Sequence, residues 1–225
     1  MAEAALAHAH AAHDPAHQHQ FDDAAQQYQA STLGMWVFIA QEILFFGGVF
    51  TTYLIYRVMY PDVFAHASNE LDVYLGTFNT AVLIGSSLTM ALAVHASQVG
   101  HRARLVLCIG LTMLLGCVFL GVKVIEYTTK WHHGLVPGLN WNPHEPMAAQ
   151  AGIFFSLYFT LTGLHALHMV IGIGIMIWLI IAAMRGRFGP HYHTPVEIVG
   201  LYWHFVDIVW IFLFPLLYLI GRHSH

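Results

Sequence analysis

Charged residues are scarce in this sequence of 225 residues. Asp, Glu, Lys and Arg together make up 9% of it, and hydrophobic residues make up 57%. Because a soluble domain carries roughly 25% charged residues to cover its surface, this composition excludes the soluble globular class and indicates a membrane protein. The formal net charge is −4 with histidine neutral, and no basic patch is evident, so we expect no nucleic-acid partner.

Cysteine is rare, and the common cofactor motifs are missing. The two cysteines, Cys108 and Cys117, fall inside an apolar run and outside any CxxC pattern, so we interpret them as small buried hydrophobes. The sequence contains no dinucleotide fingerprint, Walker pattern, nucleophile elbow or CxxCH haem-attachment motif. We therefore predict that this chain has no catalytic, cofactor-binding or metal-binding residue of its own.

Five apolar stretches are each long enough for a helix that crosses the hydrocarbon core, which needs about 20 residues. Their approximate bounds are 33–56, 73–97, 105–127, 151–184 and 196–220. Since a helix satisfies its own backbone amides in lipid, residues 31–225 predict an all-α membrane domain, a bundle of five transmembrane helices. Residues 1–30 are rich in Ala, His and Gln and lack the features of a cleavable signal, so we expect a flexible polar tail.

The distribution of basic residues predicts the orientation. With five spans, the N-terminus shares a side of the membrane with the second-to-third and fourth-to-fifth connections. Those two connections carry Arg102, Arg104, Arg185 and Arg187, whereas the opposite side carries Arg57, Lys130 and Arg222. Because basic residues accumulate on the cytoplasmic side, we expect a cytoplasmic N-terminus and a periplasmic C-terminus.

Glu42 is an ionisable residue about ten positions into the first span, near the bilayer midplane. An ionisable group at this depth costs several kcal/mol, so its carboxyl must be protonated, hydrogen-bonded or both. Two interpretations remain open. Glu42 is either a proton-responsive group in a lipid cleft, or a neutral carboxyl that joins two helices.

The fourth span carries His165 and His168, which are three residues apart and predicted to share one helix face. Two histidines at this spacing supply only part of a metal shell. We therefore favour hydrogen bonding to a neighbouring helix, with Glu42 as the candidate partner.

Two further pairs of ionisable residues lie in the third and fifth spans. Lys123 and Glu126 are three residues apart and are expected to neutralise each other. His204 and Asp207 have the same spacing and are expected to make a structural polar contact, with proton chemistry near the membrane surface as the alternative.

Several segments of the chain, taken in order, resemble the cytochrome c oxidase subunit III family. They are FIAQEILFFG at 38–47, FNTAVL at 78–83, the Glu126-Tyr127 pair, GLHALH at 163–168 and YWHFVDIVWIFL at 202–213. The resemblance implies a non-catalytic subunit of a proton-pumping haem–copper terminal oxidase in aerobic respiration. It also implies that the haems and copper lie in partner subunits, that subunit I is the main contact and subunit II a further one, and that phospholipid binds in a cleft near Glu42.

The resemblance is to the short bacterial form of this subunit. The mitochondrial form has seven helices, and here a polar segment stands in place of the first two. This departure implies a bacterial plasma-membrane location and a small two-helix subunit IV as a neighbour. The loop at 128–150 is also longer than the mitochondrial one, which implies contact with subunit II or with another respiratory complex on the outer face. Two other hypotheses remain open: a subunit-III-like protein associated with nitric oxide reductase, and an independent proton-linked transporter that uses Glu42, His165 and His168.

Overall fold

The computed structural model describes residues 20–142, 150–219 and 221, which are helical apart from one short hairpin and the turns. The helices are α1 (Ala24–Met59), α2 (Pro61–Asn69), α3 (Val73–Val99), α4 (Arg102–His132), α5 (Ala151–Met184) and α6 (Thr194–Tyr218), and the strands are β1 (Leu135–Val136) and β2 (Asn140–Trp141). All of these helices except α2 are long and apolar enough to cross a membrane. The predicted class, an all-α membrane protein with five spanning helices, is confirmed.

The first helix begins earlier than the hydropathy of the chain predicts. Asp23 caps its N-terminus, because the Asp23 carboxylate accepts a hydrogen bond of 2.6 Å from the backbone N–H of Gln26. The alanines and glutamines that follow favour a helix even outside lipid. The expectation of a flexible tail up to residue 30 is therefore wrong for residues 24–30. Residues 1–19 of the expected tail lie outside the described residues.

The connections between the spans contain structure that the sequence did not predict. Pro61 occupies the first turn of α2, where a proline loses no helical hydrogen bond. After α4, the strands β1 and β2 pair antiparallel, with Leu135 opposite Trp141 and Val136 opposite Asn140. Residues 143–149 of this connection lie outside the described residues.

The bundle is organised around α6, which is the most buried of the spans, whereas α1 is the least buried. Helix α6 packs against α3, α5 and α1. Its Trp203 indole lies over Gly116 of α4 and Gly172 of α5, and a Cβ atom at either glycine would come within 2.9 Å of the ring. Small residues here let the backbones of α4 and α5 approach the indole closely.

Both cysteines are free and lie on α4. Cys108 is half-buried, but Cys117 is exposed on the outer surface of the bundle, so the expectation that both are buried is wrong for Cys117. The outer surface of a spanning helix faces lipid, where a small apolar thiol is well accommodated.

Candidate functional site

Helices α1 and α5 each bring one ionisable side chain to their interface. The Nε2 atom of His168 lies 3.3 Å from Oε2 of Glu42, and the two side chains are 13% and 12% exposed. The Nδ1 atom of His168 lies 2.8 Å from the backbone carbonyl oxygen of Leu164. Because a carbonyl oxygen only accepts hydrogen bonds, Nδ1 carries a hydrogen. Nε2 of His168 is therefore the ring nitrogen that remains to face the Glu42 carboxyl group across the interface.

Aromatic side chains cover this pair. The Phe46 ring lies 5.3 Å from the His168 ring, and the Tyr202 ring stacks on it at 6.5 Å. The Tyr202 hydroxyl also donates a hydrogen bond of 2.9 Å to the backbone carbonyl of His168. The pair thus lies in an environment of low polarity, where an electrostatic contact is stronger than in water. Together with Tyr202 it joins α1, α5 and α6.

His165 serves a different interface from His168. It is 1% exposed, and neither ring nitrogen has a hydrogen-bond partner among the described residues. Its ring centroid lies 5.3 Å from that of Phe119 on α4 and 5.2 Å from that of Trp210 on α6. Of the two histidines predicted to share a face, the structure brings only His168 to Glu42.

Lys123 and Glu126 come together as the sequence predicts, and Tyr218 of α6 joins them. The Lys123 ammonium donates to Oε2 of Glu126 at 2.9 Å and to the Tyr218 hydroxyl at 2.6 Å. The same hydroxyl donates to Oε1 of Glu126 at 2.6 Å. Lys123 and Glu126 are only 4% and 3% exposed, so this triad is a charge pair buried in the bundle, and its hydrogen bonds offset part of the desolvation cost.

Tyr218 could not have been identified from the sequence, because a tyrosine near the end of a span usually marks the membrane interface. Lys130, two turns after Lys123, is also buried, and its ammonium donates to the backbone carbonyl of Glu70. Lys130 therefore belongs to the interior of the bundle, although its position after the third span predicts a charge exposed in the loop.

The polar residues of α6 face two serines of α3. The Nδ1 atom of His204 lies 2.7 Å from Oγ of Ser87. Asp207 is 3% exposed, and neither oxygen of its carboxyl group has a hydrogen-bond partner among the described residues. The Ser86 hydroxyl also accepts a hydrogen bond of 3.1 Å from the Trp203 indole. Neither serine stands out in the sequence, since a serine within an apolar run is also expected as a small packing residue.

An apolar groove of about 640 Å³ lies between α1 and α6, and residues of both helices line it. Aromatic and aliphatic side chains line most of it, among them Trp36, Ile43, Phe46, Phe205 and Phe212. His204 is the ionisable residue in this lining. Such a lining suits a long apolar molecule such as an acyl chain.

The described histidines do not form a metal centre. In the described ranges, no three His, Cys, Asp or Glu side chains come together as a group that could hold a metal ion. Each buried histidine is instead placed against a different neighbour: Glu42 for His168, aromatic rings for His165, and Ser87 for His204.

Comparison with known proteins gives consistent matches over nearly the whole chain. The sequence profile of the family described as cytochrome c oxidase subunit III matches residues 16–222. The chain is 33% identical over 202 residues to cytochrome c oxidase subunit 3 of Thermostichus vulcanus, an alignment covering 89% of this chain and 92% of the relative. It is 31% identical over 215 residues to quinol oxidase subunit 3 of Bacillus subtilis, covering 91% and 96%. Cytochrome c oxidase subunit 3 of Loxodonta africana is 31% identical over 193 residues, covering 82% of this chain and 67% of the relative.

Proposed function

Because the chain belongs to the cytochrome c oxidase subunit III family, we propose that it is the non-catalytic third subunit of a haem–copper terminal oxidase in a bacterial plasma membrane. The observation that carries this proposal is the extent of the family match, residues 16–222, which contains all five spanning helices. The likeness therefore covers the whole bundle. The complex is an oxidoreductase of the respiratory chain, and its haem and copper centres belong to partner subunits.

The placement of the buried histidines supports an accessory role. A haem iron or copper ion needs ring nitrogens that converge on a common space. Here His168 is engaged by Glu42 and the Leu164 carbonyl, and His204 by Ser87. His165 packs between aromatic rings. These side chains join helices, and the residues present do not fit a haem or copper site.

We infer that subunit I and phospholipid cover the open side of α1. This helix is the least buried span, and it borders the apolar groove of about 640 Å³. The lining of the groove suits an acyl chain, and Phe46 stands between the groove and the Glu42–His168 pair. Subunit II and a small two-helix subunit IV are the further partners, subunit IV occupying the place of the two helices present in the longer relatives.

The exposed arginines support a cytoplasmic N-terminus. Arg102, Arg104, Arg185 and Arg187 are all exposed at one end of the bundle. At the other end Lys130 is buried, and Arg57 is half-buried. Since surface basic residues mark the cytoplasmic side, we place the α3–α4 and α5–α6 connections there.

Removal of the chain from the purified oxidase tests this function. The complex without it is expected to keep its haem and copper content per subunit I and its initial rate of oxygen reduction. Its activity should decay faster during sustained turnover, because subunit I has lost its helix and lipid contacts. Loss of a stoichiometric amount of haem together with this chain would contradict the proposal.

A further inference from the structure

Three helices place one side chain each in a single layer within the bundle. The Lys123 ammonium of α4 lies 4.6 Å from the centre of the Trp210 ring of α6, a cation–π distance. The His165 ring of α5 lies 5.2 Å from the same indole. Trp210 is therefore the common neighbour of an ammonium and an imidazole.

Asn79 of α3 belongs to the same layer. Its neighbour Thr80 accepts a hydrogen bond of 3.1 Å from the Trp210 indole. Helices α3 and α4 are antiparallel, and the Thr89 and Thr112 hydroxyls meet at 2.8 Å. Asn79 is ten residues before Thr89, and Lys123 is eleven residues after Thr112, so the two residues lie at nearly the same level of the bundle.

Two members of this layer have no hydrogen-bond partner among the described residues. Asn79 is 0% exposed, and both atoms of its amide group are unpartnered. His165 is 1% exposed, and both of its ring nitrogens are unpartnered. A buried polar group without a partner is unfavourable because it has lost its hydrogen bonds to water. Water is the small molecule that both donates and accepts hydrogen bonds, and buried waters occur where several such groups face a common space.

Polar groups continue from this layer to one end of the bundle. Lys123 shares hydrogen bonds with Glu126 and Tyr218. One turn beyond Glu126, Lys130 reaches the backbone carbonyl of Glu70. Glu70 is exposed at the turn between α2 and α3. The Lys123–Glu126–Tyr218 triad therefore lies between the layer and the water at that end.

We propose that Asn79 and His165 hold bound water, and that this water and the Lys123–Glu126–Tyr218 triad exchange protons between His165 and the aqueous phase at the α2–α3 turn. The water gives a proton to a ring nitrogen of His165 and takes one from the Lys123 ammonium. The Lys123 amine regains a proton from the Tyr218 hydroxyl. The Glu126 carboxylate takes a proton from the aqueous end and passes it to the Tyr218 oxygen. One proton moves inwards, and every intermediate group returns to its initial state.

Other ionisable side chains lie near this path, among them Tyr127, which contacts Thr162 of α5 through its hydroxyl. Tyr158 of α5 has its ring 6.4 Å from that of Tyr218, and Lys130 acts electrostatically on Lys123. His168 also acts on His165 from the next turn of α5. The proposed exchange uses groups of this chain alone, so it is independent of the partner subunit on which the chain packs.

Hydrogen–deuterium exchange in the intact oxidase tests the proposal. With ring-¹⁵N histidine in the complex in lipid nanodiscs, the His165 signals are assigned by their loss in His165→Gln and followed by NMR after transfer to D₂O. The exchange rate is expected to be about tenfold or more lower in Glu126→Gln and in Tyr218→Phe than in the wild type. In these variants exchange requires local opening of the bundle. Glu197→Gln, at the opposite end of α6, is the matched control and should leave the rate unchanged.

A high-resolution map of the wild-type complex gives an independent test that needs no variant. Water density within hydrogen-bond distance of a His165 ring nitrogen and of the Asn79 amide supports the proposal. A direct contact between these two side chains, or a dry layer, would overturn it. So would His165 signals that do not exchange over days, or that exchange at the same rate in the wild type, Glu126→Gln and Tyr218→Phe.

Discussion

His168 of α5 and Glu42 of α1 face each other across the interface of the two helices. Their Nε2 and Oε2 atoms lie 3.3 Å apart, and Nδ1 of His168 already donates to the Leu164 carbonyl. Nε2 therefore accepts a hydrogen bond when the His168 ring is neutral and donates one when the ring is charged. A glutamine at position 42 can donate from its amide to Nε2, so a polar contact at this position does not depend on the carboxyl as such.

Glu42→Gln is accordingly expected to assemble normally and to leave the thermal unfolding midpoint of the complex nearly unchanged. Glu42→Leu should lower the stability by about 1 kcal/mol, the usual size of an interhelical hydrogen bond in a membrane. Gln41→Leu, at an exposed position on the same helix, is the control. If Glu42→Gln destabilises the complex as much as Glu42→Leu does, the carboxyl itself is required.

Lys123 and Glu126 are expected to depend strongly on each other. Lys123→Met leaves the Glu126 carboxylate buried with Tyr218 alone, and removing one member of a buried pair costs about 3–5 kcal/mol. Lys123→Met combined with Glu126→Gln leaves no uncompensated charge and should regain most of that stability. The measurement is a double-mutant cycle on the thermal unfolding of the complex. If the loss of stability in the double variant equals or exceeds the sum of the two single losses, the pairing is contradicted.

The glycines beneath Trp203 should not tolerate a methyl group. In Gly172→Ala the new Cβ would lie 2.9 Å from the indole, and such overpacking costs about 1–3 kcal/mol. Gly174 lies on the same helix and has no atom within 4 Å of its Cβ position. Gly174→Ala should therefore be neutral or slightly stabilising, and equal melting temperatures for the two variants would disprove the close packing.

A larger side chain in the groove between α1 and α6 should displace an acyl chain. Gly47 lines this groove and has open space at its Cβ position, so Gly47→Leu fills the groove without an internal clash. The purified complex should then retain about one phospholipid fewer by native mass spectrometry. Gly174→Leu projects from an exposed position elsewhere and is the control. Unchanged lipid content in Gly47→Leu would show that the groove holds no lipid.

The spanning helices are predictable from the sequence because the hydrocarbon core imposes their length and apolar composition. Hydropathy does not report helix that continues into water. For this reason the start of α1 at Ala24, capped by Asp23, and the short helix that begins at Pro61 were missed.

The polar contacts were predictable only where they are local. Lys123 and Glu126 are three residues apart on one helix, so their pairing follows from helix geometry. The contribution of Tyr218 depends on how α6 packs against α4, which the sequence does not contain. His165 and His168 differ in direction by about 60° around α5, enough for them to face different helices.

Isolation of the oxidase through an affinity tag on this chain tests the accessory role most directly. The tagged chain should bring down subunit I of a haem–copper oxidase, and all haem absorbance should remain with subunit I when the chain is dissociated in detergent. Haem retained stoichiometrically by the isolated chain, or a tagged chain that isolates without any haem–copper oxidase subunit, would contradict that role.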